Sequence, residues 1–416
     1  MSHTLRLLSP FKTLVFLLSG LILAFSLFFR TLGDDQVSGA FIAIGLTFLG
    51  LLLTMLQVII RGSFPYSQPL MYSLSFFLVS VLSVVASVIF LKTDIGTALN
   101  FFVEIIICFG MFLCFYLFSR FDLLGPRSVA FIVCFLALYL VWLALFKSFD
   151  TIESLRRLDG LSARNLFGNA VALSCISVVF LTVGVYDRTA FLRVVLLLVG
   201  LICTLLLVLI GSRQALLLGV VLSIWLLFQA LDVRRFFLVS VIFLVGFYVL
   251  IFWINQQIDL DRLLLRFDSS RIANDGFGRF EVYSRAIRDI DTGALLFGRP
   301  ELYEVWNEHV THPHNIFISV LRHLGAFSLF CFVLSLLITG RRIKRALHLF
   351  KSARIELFYL TALFVCAFGY VMVSGNMTRS FHFFMLWGFV LGYADKLMLG
   401  IKRRIQVRTA TRFNEA

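Results

Sequence analysis

Long apolar runs separated by short polar breaks dominate the chain. They fall near residues 11–29, 39–60, 70–91, 99–118, 128–146, 166–184, 191–210, 214–231, 236–254, 315–338, 356–374 and 380–399. A helix that crosses the hydrocarbon core needs about 20 apolar residues, and each run is close to that length. The apolar positions are continuous and do not alternate, which excludes the strands of an outer-membrane barrel. The pattern predicts an all-α polytopic membrane protein with twelve transmembrane helices. The first run is followed by Phe28-Phe29-Arg30, not by a small-x-small cleavage site, so it reads as an uncleaved helix.

One segment breaks the rhythm. Residues 255–313 form the only long hydrophilic stretch and carry ten of the 23 acidic residues. Long connections of this kind are functional or disordered. Within it, Phe280, Tyr283, Ala286, Ile287 and Ile290 recur at helical spacing after Asp275-Gly276, which predicts a helix packed on the membrane face of the loop. The layout is then nine helices over 1–254, a large loop over 255–313, three helices over 314–399, and a basic tail over 400–416.

Composition agrees with that layout. Hydrophobic residues make up 60% of the 416 and charged residues 14%, with mean hydropathy +0.97. Soluble domains hold about 45–50% apolar and about 25% charged residues. A soluble enzyme, a disordered chain and a secreted disulfide scaffold are excluded. All seven cysteines lie in apolar stretches with no CxxC, and they read as small membrane or core residues.

The net charge of +14 has a direction. With both termini on one side, 21 basic residues fall on that side and eight in the short loops opposite. The positive-inside rule makes the first side cytoplasmic and puts 255–313 outside the cytoplasm. The basic tail then reads as a topology anchor beside anionic lipid, with no call for nucleic acid.

Three basic sites stand on the outer side. Gly211-Ser212-Arg213 breaks two apolar runs. A charge there faces protein or water, or it is an arginine snorkelling at a helix end. Gly278-Arg279 opens the expected loop helix. A helix N-terminus with an arginine fork suits a phosphate, and a solvated loop arginine is the plainer reading. Thr311-His312-Pro313-His314-Asn315 leads into the next run, which continues through Ile316, Phe317, Ile318 and Leu321 to Gly325. A neutral imidazole there can accept a proton. As metal ligands the two histidines lack any Asp, Glu or Cys at ligand spacing. Arg322 lies seven residues after Asn315, near the same helix face, and His323 adjoins it.

In this order, Ile210-Gly211-Ser212-Arg213-Gln214-Ala215-Leu216, Gly278-Arg279 with Tyr283, and His312-Pro313-His314-Asn315 with Leu321 and Gly325 resemble the O-antigen ligase family of membrane glycosyltransferases. The likeness in motifs covers about residues 195–340; the first half matches as a hydropathy profile. The resemblance implies a GT-C-like architecture in the bacterial inner membrane, with the active site facing the periplasm. It implies inverting transfer of a glycan from undecaprenyl diphosphate to an acceptor hydroxyl, without metal or other cofactor. In ligases that hydroxyl belongs to a lipid A–core sugar. His314 corresponds to the family's histidine, and Arg213 and Arg279 to its essential arginines. His312, Asn315, Arg322 and Arg379 are expected to assist binding. A polysaccharide polymerase of the same family is the alternative, although the short 147–165 segment leaves one dominant loop, as in a ligase.

Two other classes remain. A secondary transporter also has about twelve spans but places its polar site near the midplane of related halves. Here Glu104, Asn169 and Arg322 are the main midplane candidates and are not repeat-related. A metal-dependent glycosyltransferase would use Asp34-Asp35, which no second carboxylate cluster joins.

Overall fold

The computed structural model describes residues 12–22, 36–61, 66–146, 161–184, 190–210, 212–255, 280, 282–284, 286–288, 290–300, 315–373 and 380–414. Among them the ordered elements are helices: α1 (Lys12–Ile22), α2 (Gln36–Arg61), α3 (Gln68–Leu91), α4 (Ile95–Arg120), α5 (Pro126–Phe146), α6 (Leu161–Gly184), α7 (Ala190–Ile210), α8 (Arg213–Ala230), α9 (Val233–Asn255), α10 (Thr292–Phe297), α11 (Ile316–Leu349), α12 (Arg354–Val373) and α13 (Phe381–Asn414). Every expected apolar run overlaps one of these helices. Six of them, α3, α4, α8, α11, α12 and the first part of α13, are long and apolar enough to cross a membrane. Without water to satisfy the backbone, an apolar run must close its own hydrogen bonds, and a helix does so.

Local signals set the helix ends. Ser67 caps α3, its Oγ accepting from Leu70 N at 3.2 Å, and Pro69 sits in the first turn where its missing N–H costs nothing. Lys92 closes the same helix in the left-handed conformation (φ 54°), and Asp94 caps α4 through Thr97 N at 2.9 Å.

Packing between the helices follows membrane rules, where small residues and polar links replace the hydrophobic drive. The most extensive contact joins α4 to α13. Gly388 and Gly392, four residues apart on α13, lie directly against the Phe112 and Tyr116 carbonyls of α4, and a Cβ at either glycine would collide with them. Beside this seam Phe76, Phe77, Phe112, Phe332, Phe383, Phe384 and Trp387 stack as one buried aromatic cluster. Trp387 Nε1 donates to Thr339 Oγ1 at 2.9 Å, and the Ser177 and Tyr359 hydroxyls pair at 2.9 Å.

The segment ends expected to be cytoplasmic meet at one end of the bundle. There Asp395, fully buried, accepts from Ser67 Oγ at 2.5 Å, from Tyr116 at 2.9 Å and from Arg342 Nε at 2.5 Å. Lys396 pairs with Asp122 at 2.7 Å, and Tyr393 donates to Glu356. We call this the basic end. The opposite, loop end holds α10, where Phe297 stacks on Phe90 of α3 with centroids 5.5 Å apart.

Two expectations change. The run at 315–338 is not one straight helix. Gly325 (φ 79°) interrupts α11, so Ile316–Leu324 turn away from the remainder. The cause is backbone crowding: Gly325 lies against Leu296 O and Gly298 N, and Gly298 (φ 76°) lies against His323. Only glycine combines those φ values with such contacts. In addition, α11 and α13 run past residues 338 and 399 to Leu349 and Asn414, so most of the basic tail is helical. Of the loop helix, residues 280, 282–284 and 286–288 are described and helical; Ala286 is buried, while Phe280 and Ile287 are exposed.

Candidate functional site

Arg213 is the first residue of α8 and is half-buried. Ser212 precedes it in an extended conformation (φ −85°, ψ 96°) with no side-chain hydrogen bond to the helix. Gly168 of α6 presses on this start: a Cβ there would stand 2.8 Å from Ser212 Cβ and 3.0 Å from Ala215 Cβ. The guanidinium is thus carried on a fixed helix N-terminus, whose dipole adds positive potential of its own.

Asn315 is the N-cap of α11. Its Oδ1 accepts from Phe317 N at 2.9 Å and Ile318 N at 3.3 Å, so the amide fixes the point where the chain enters the bundle. The two histidines His312 and His314 just before it lie outside the described residues, as do Arg279, Arg379 and the Asp34-Asp35 pair.

Arg322 and His323 sit at the α11 break, 1% and 2% exposed. The Arg322 carbonyl accepts from Arg299 N at 2.8 Å, and His323 Nδ1 lies 3.4 Å from Arg299 O. Arg299 in turn pairs with Asp291 at 3.2 Å, and Asp291 caps α10 through Ala294 N at 2.7 Å. This knot ties the loop to α11, so Arg322 lies inside protein and not in lipid, as a charge in a span must.

A chain of contacts places Arg213 and Asn315 at the same end. Asn169, next to Gly168, accepts from Cys366 of α12 at 3.4 Å. Leu218 of α8 packs on Gly369. Phe368 of α12 meets Phe317, two residues after Asn315, with centroids 6.0 Å apart. Tyr370 then meets His382 of α13 at 5.1 Å between ring centroids.

His382 stands in the sequence with no motif around it. Its only signal was a histidine two positions into an apolar run. It is fully buried, and neither ring nitrogen has a hydrogen-bond partner among the described residues. Among the described residues no three His, Cys, Asp or Glu side chains gather for a metal ion. All seven cysteines are free thiols, six of them buried.

No protein-family model matches the chain, and no curated protein matches it.

Proposed function

We propose that this chain is a twelve-span glycosyltransferase of the bacterial inner membrane, an O-antigen ligase. In this reading 255–313 is periplasmic, and the enzyme moves a polysaccharide from undecaprenyl diphosphate to a lipid A–core hydroxyl. The observation that supports it best is the half-buried Arg213 on a braced helix N-terminus, at the end of the bundle where Asn315 caps the re-entering chain.

The chemistry suits those groups. Negative charge grows on the diphosphate as the C1–O bond breaks and the electron pair leaves with it. Arg213 and Arg279 stabilise that charge as paired N–H donors. His314 takes the proton of the acceptor hydroxyl while its oxygen bonds to C1 from the opposite face, which inverts the anomeric centre. Asn315 holds the backbone beside His314, His312 supports it, and Arg322 and Arg379 add positive charge for the donor.

The lipopolysaccharide of a deletion strain tests this reading. Loss of all O-antigen with lipid-linked polymer accumulating is the expected result. A core carrying a single repeat unit would instead make the enzyme a polymerase, and unchanged lipopolysaccharide would end the proposal.

A further inference from the structure

The hydrophilic segment 255–313 does not stay clear of the bundle. Within it, α10 and the Gly298–Pro300 corner lie against two helices long and apolar enough to cross a membrane, α3 and α11. On one side α10 runs along the last turn of α3. Phe297 stacks on Phe90 with ring centroids 5.5 Å apart, and a Cβ on Gly293 would stand 2.7 Å from Leu91 Cδ2. Phe90 and Leu91 close α3 just before the polar Lys92-Thr93-Asp94 turn, so α10 sits at the level of the last apolar turn. On the other side the Leu296–Gly298 corner meets α11 at His323 and Gly325. Those residues follow the Asn315 cap by eight and ten positions, which is about 12–15 Å along a helix. The corner has passed the polar entry of α11 and reached the interior of its apolar run.

Backbone, side chains and charges of this segment all suit hydrocarbon. Irregular backbone persists at membrane depth only where protein closes its hydrogen bonds. Here Gly298 N donates to Ala294 O and Arg299 N donates to Arg322 O, both at 2.8 Å, and Pro300 has no N–H to satisfy. The outward side chains are apolar. Leu295 and Leu296 are 42% and 40% exposed, on the helix whose next residue stacks on Phe90, itself 67% exposed on α3. The apolar surface is thus continuous from α3 onto α10. Charge is kept to the ends of the segment, where Asp291 and Arg299 pair with each other at 3.2 Å, as charges near hydrocarbon must.

We infer that α10 is a re-entrant, lipid-binding element. Residues 292–300 enter the bilayer leaflet at the loop end, with Leu295 and Leu296 against acyl chains and the Asp291–Arg299 pair at the lipid–water boundary. The inference needs only a membrane-spanning bundle and does not rest on the glycosyltransferase reading. It makes part of the long hydrophilic segment a contact for lipid, and lipid then sets the depth at which that segment grips the α11 break.

The test uses the full chain in vesicles of phosphatidylethanolamine and phosphatidylglycerol, spin-labelled at Leu295→Cys or Leu296→Cys. Six of the seven native thiols are buried, and unsubstituted protein taken through the same labelling sets the background. The label is relaxed by oxygen, which concentrates in lipid, and separately by a neutral nickel chelate, which stays in water. Leu78→Cys, exposed midway along α3, gives the lipid reference, and Arg288→Cys, exposed on the hydrophilic segment, gives the aqueous one. Both leucine positions are expected to behave as Leu78 does, with strong relaxation by oxygen and loss of most of the nickel effect seen at Arg288. Relaxation chiefly by nickel would overturn the proposal and return α10 to water. Weak relaxation by both reagents would also overturn it, in favour of a protein contact such as a second copy of the chain over this face. The two positions are labelled separately, so that one poorly folded variant leaves the other to decide.

Discussion

At the scale of single residues, charge and geometry separate. An arginine that clamps diphosphate does so through two parallel N–H donors, which lysine lacks. Arg213→Lys and Arg279→Lys are therefore expected to lose nearly as much transfer as the alanine variants, measured with purified protein; full activity in the lysine variants would reduce both to bulk electrostatics. Removing a positioned general base costs about 10²–10⁴-fold in rate. His314→Ala is expected to insert and melt as wild type but to transfer that much more slowly, with His312→Ala retaining more. The proposed role of His314 as base predicts that the wild-type transfer rate falls as imidazole becomes protonated at lower pH, because a protonated ring accepts nothing. EDTA sensitivity restored by divalent ions would move the histidines to a metal role. Arg213 and Asn315 were legible in the sequence because a polar residue inside an apolar run carries its own signal. His382 carries the same signal, but no motif surrounds it, and its burial against Tyr370 of α12 is set by packing that the sequence does not show. Asn315 was legible as a polar junction residue; that its oxygen caps α11 depends on local backbone geometry.

At the scale of elements, the positions of the long helices follow from hydropathy, and all twelve apolar runs contain helix; α10, in the hydrophilic segment, does not follow from it. The interiors of the long helices do not follow from it either. The break at Gly325 requires the Leu296–Gly298 corner to press on it, a contact between segments that no local window contains. The extension of α11 and α13 beyond the apolar runs reflects good helix formers among the basic residues, which hydropathy scores as an ending. The Gly388-x-x-x-Gly392 spacing was present to be read as a helix-packing face; its partner, the Phe112–Tyr116 stretch of α4, was not. Gly392→Ala is expected to destabilise the bundle by about 2 kcal/mol, since overpacking a tight contact costs about 1–3 kcal/mol. The fall in melting temperature in detergent checks this, and a neutral Gly392→Ala would mean that the seam yields freely. Substitution at Gly340, which has open space around it, serves as the control.

At the scale of the whole molecule, charge asymmetry and helix packing can be compared. The ends holding Ser67, Tyr116, Arg342 and Asp395 meet in one buried polar cluster, and the more exposed Lys396–Asp122 pair links the neighbouring ends of α13 and α4. Cysteine labelling at Glu304 and Glu415 is expected to occur from opposite sides of the membrane; labelling of both from one side would remove the twelve-span topology. The same cluster, together with the glycine seam, has a consequence for biogenesis. The fourth helix leaves the ribosome long before the last, yet its principal partner is the last. Until translation reaches Phe381, the carbonyl-lined groove at Phe112 and Tyr116 has no glycines to cover it, and Arg342 has no Asp395 to neutralise it. A nonsense mutation anywhere before that point is expected to yield an unclosed bundle and not a shorter working protein, a substrate for membrane quality-control proteases.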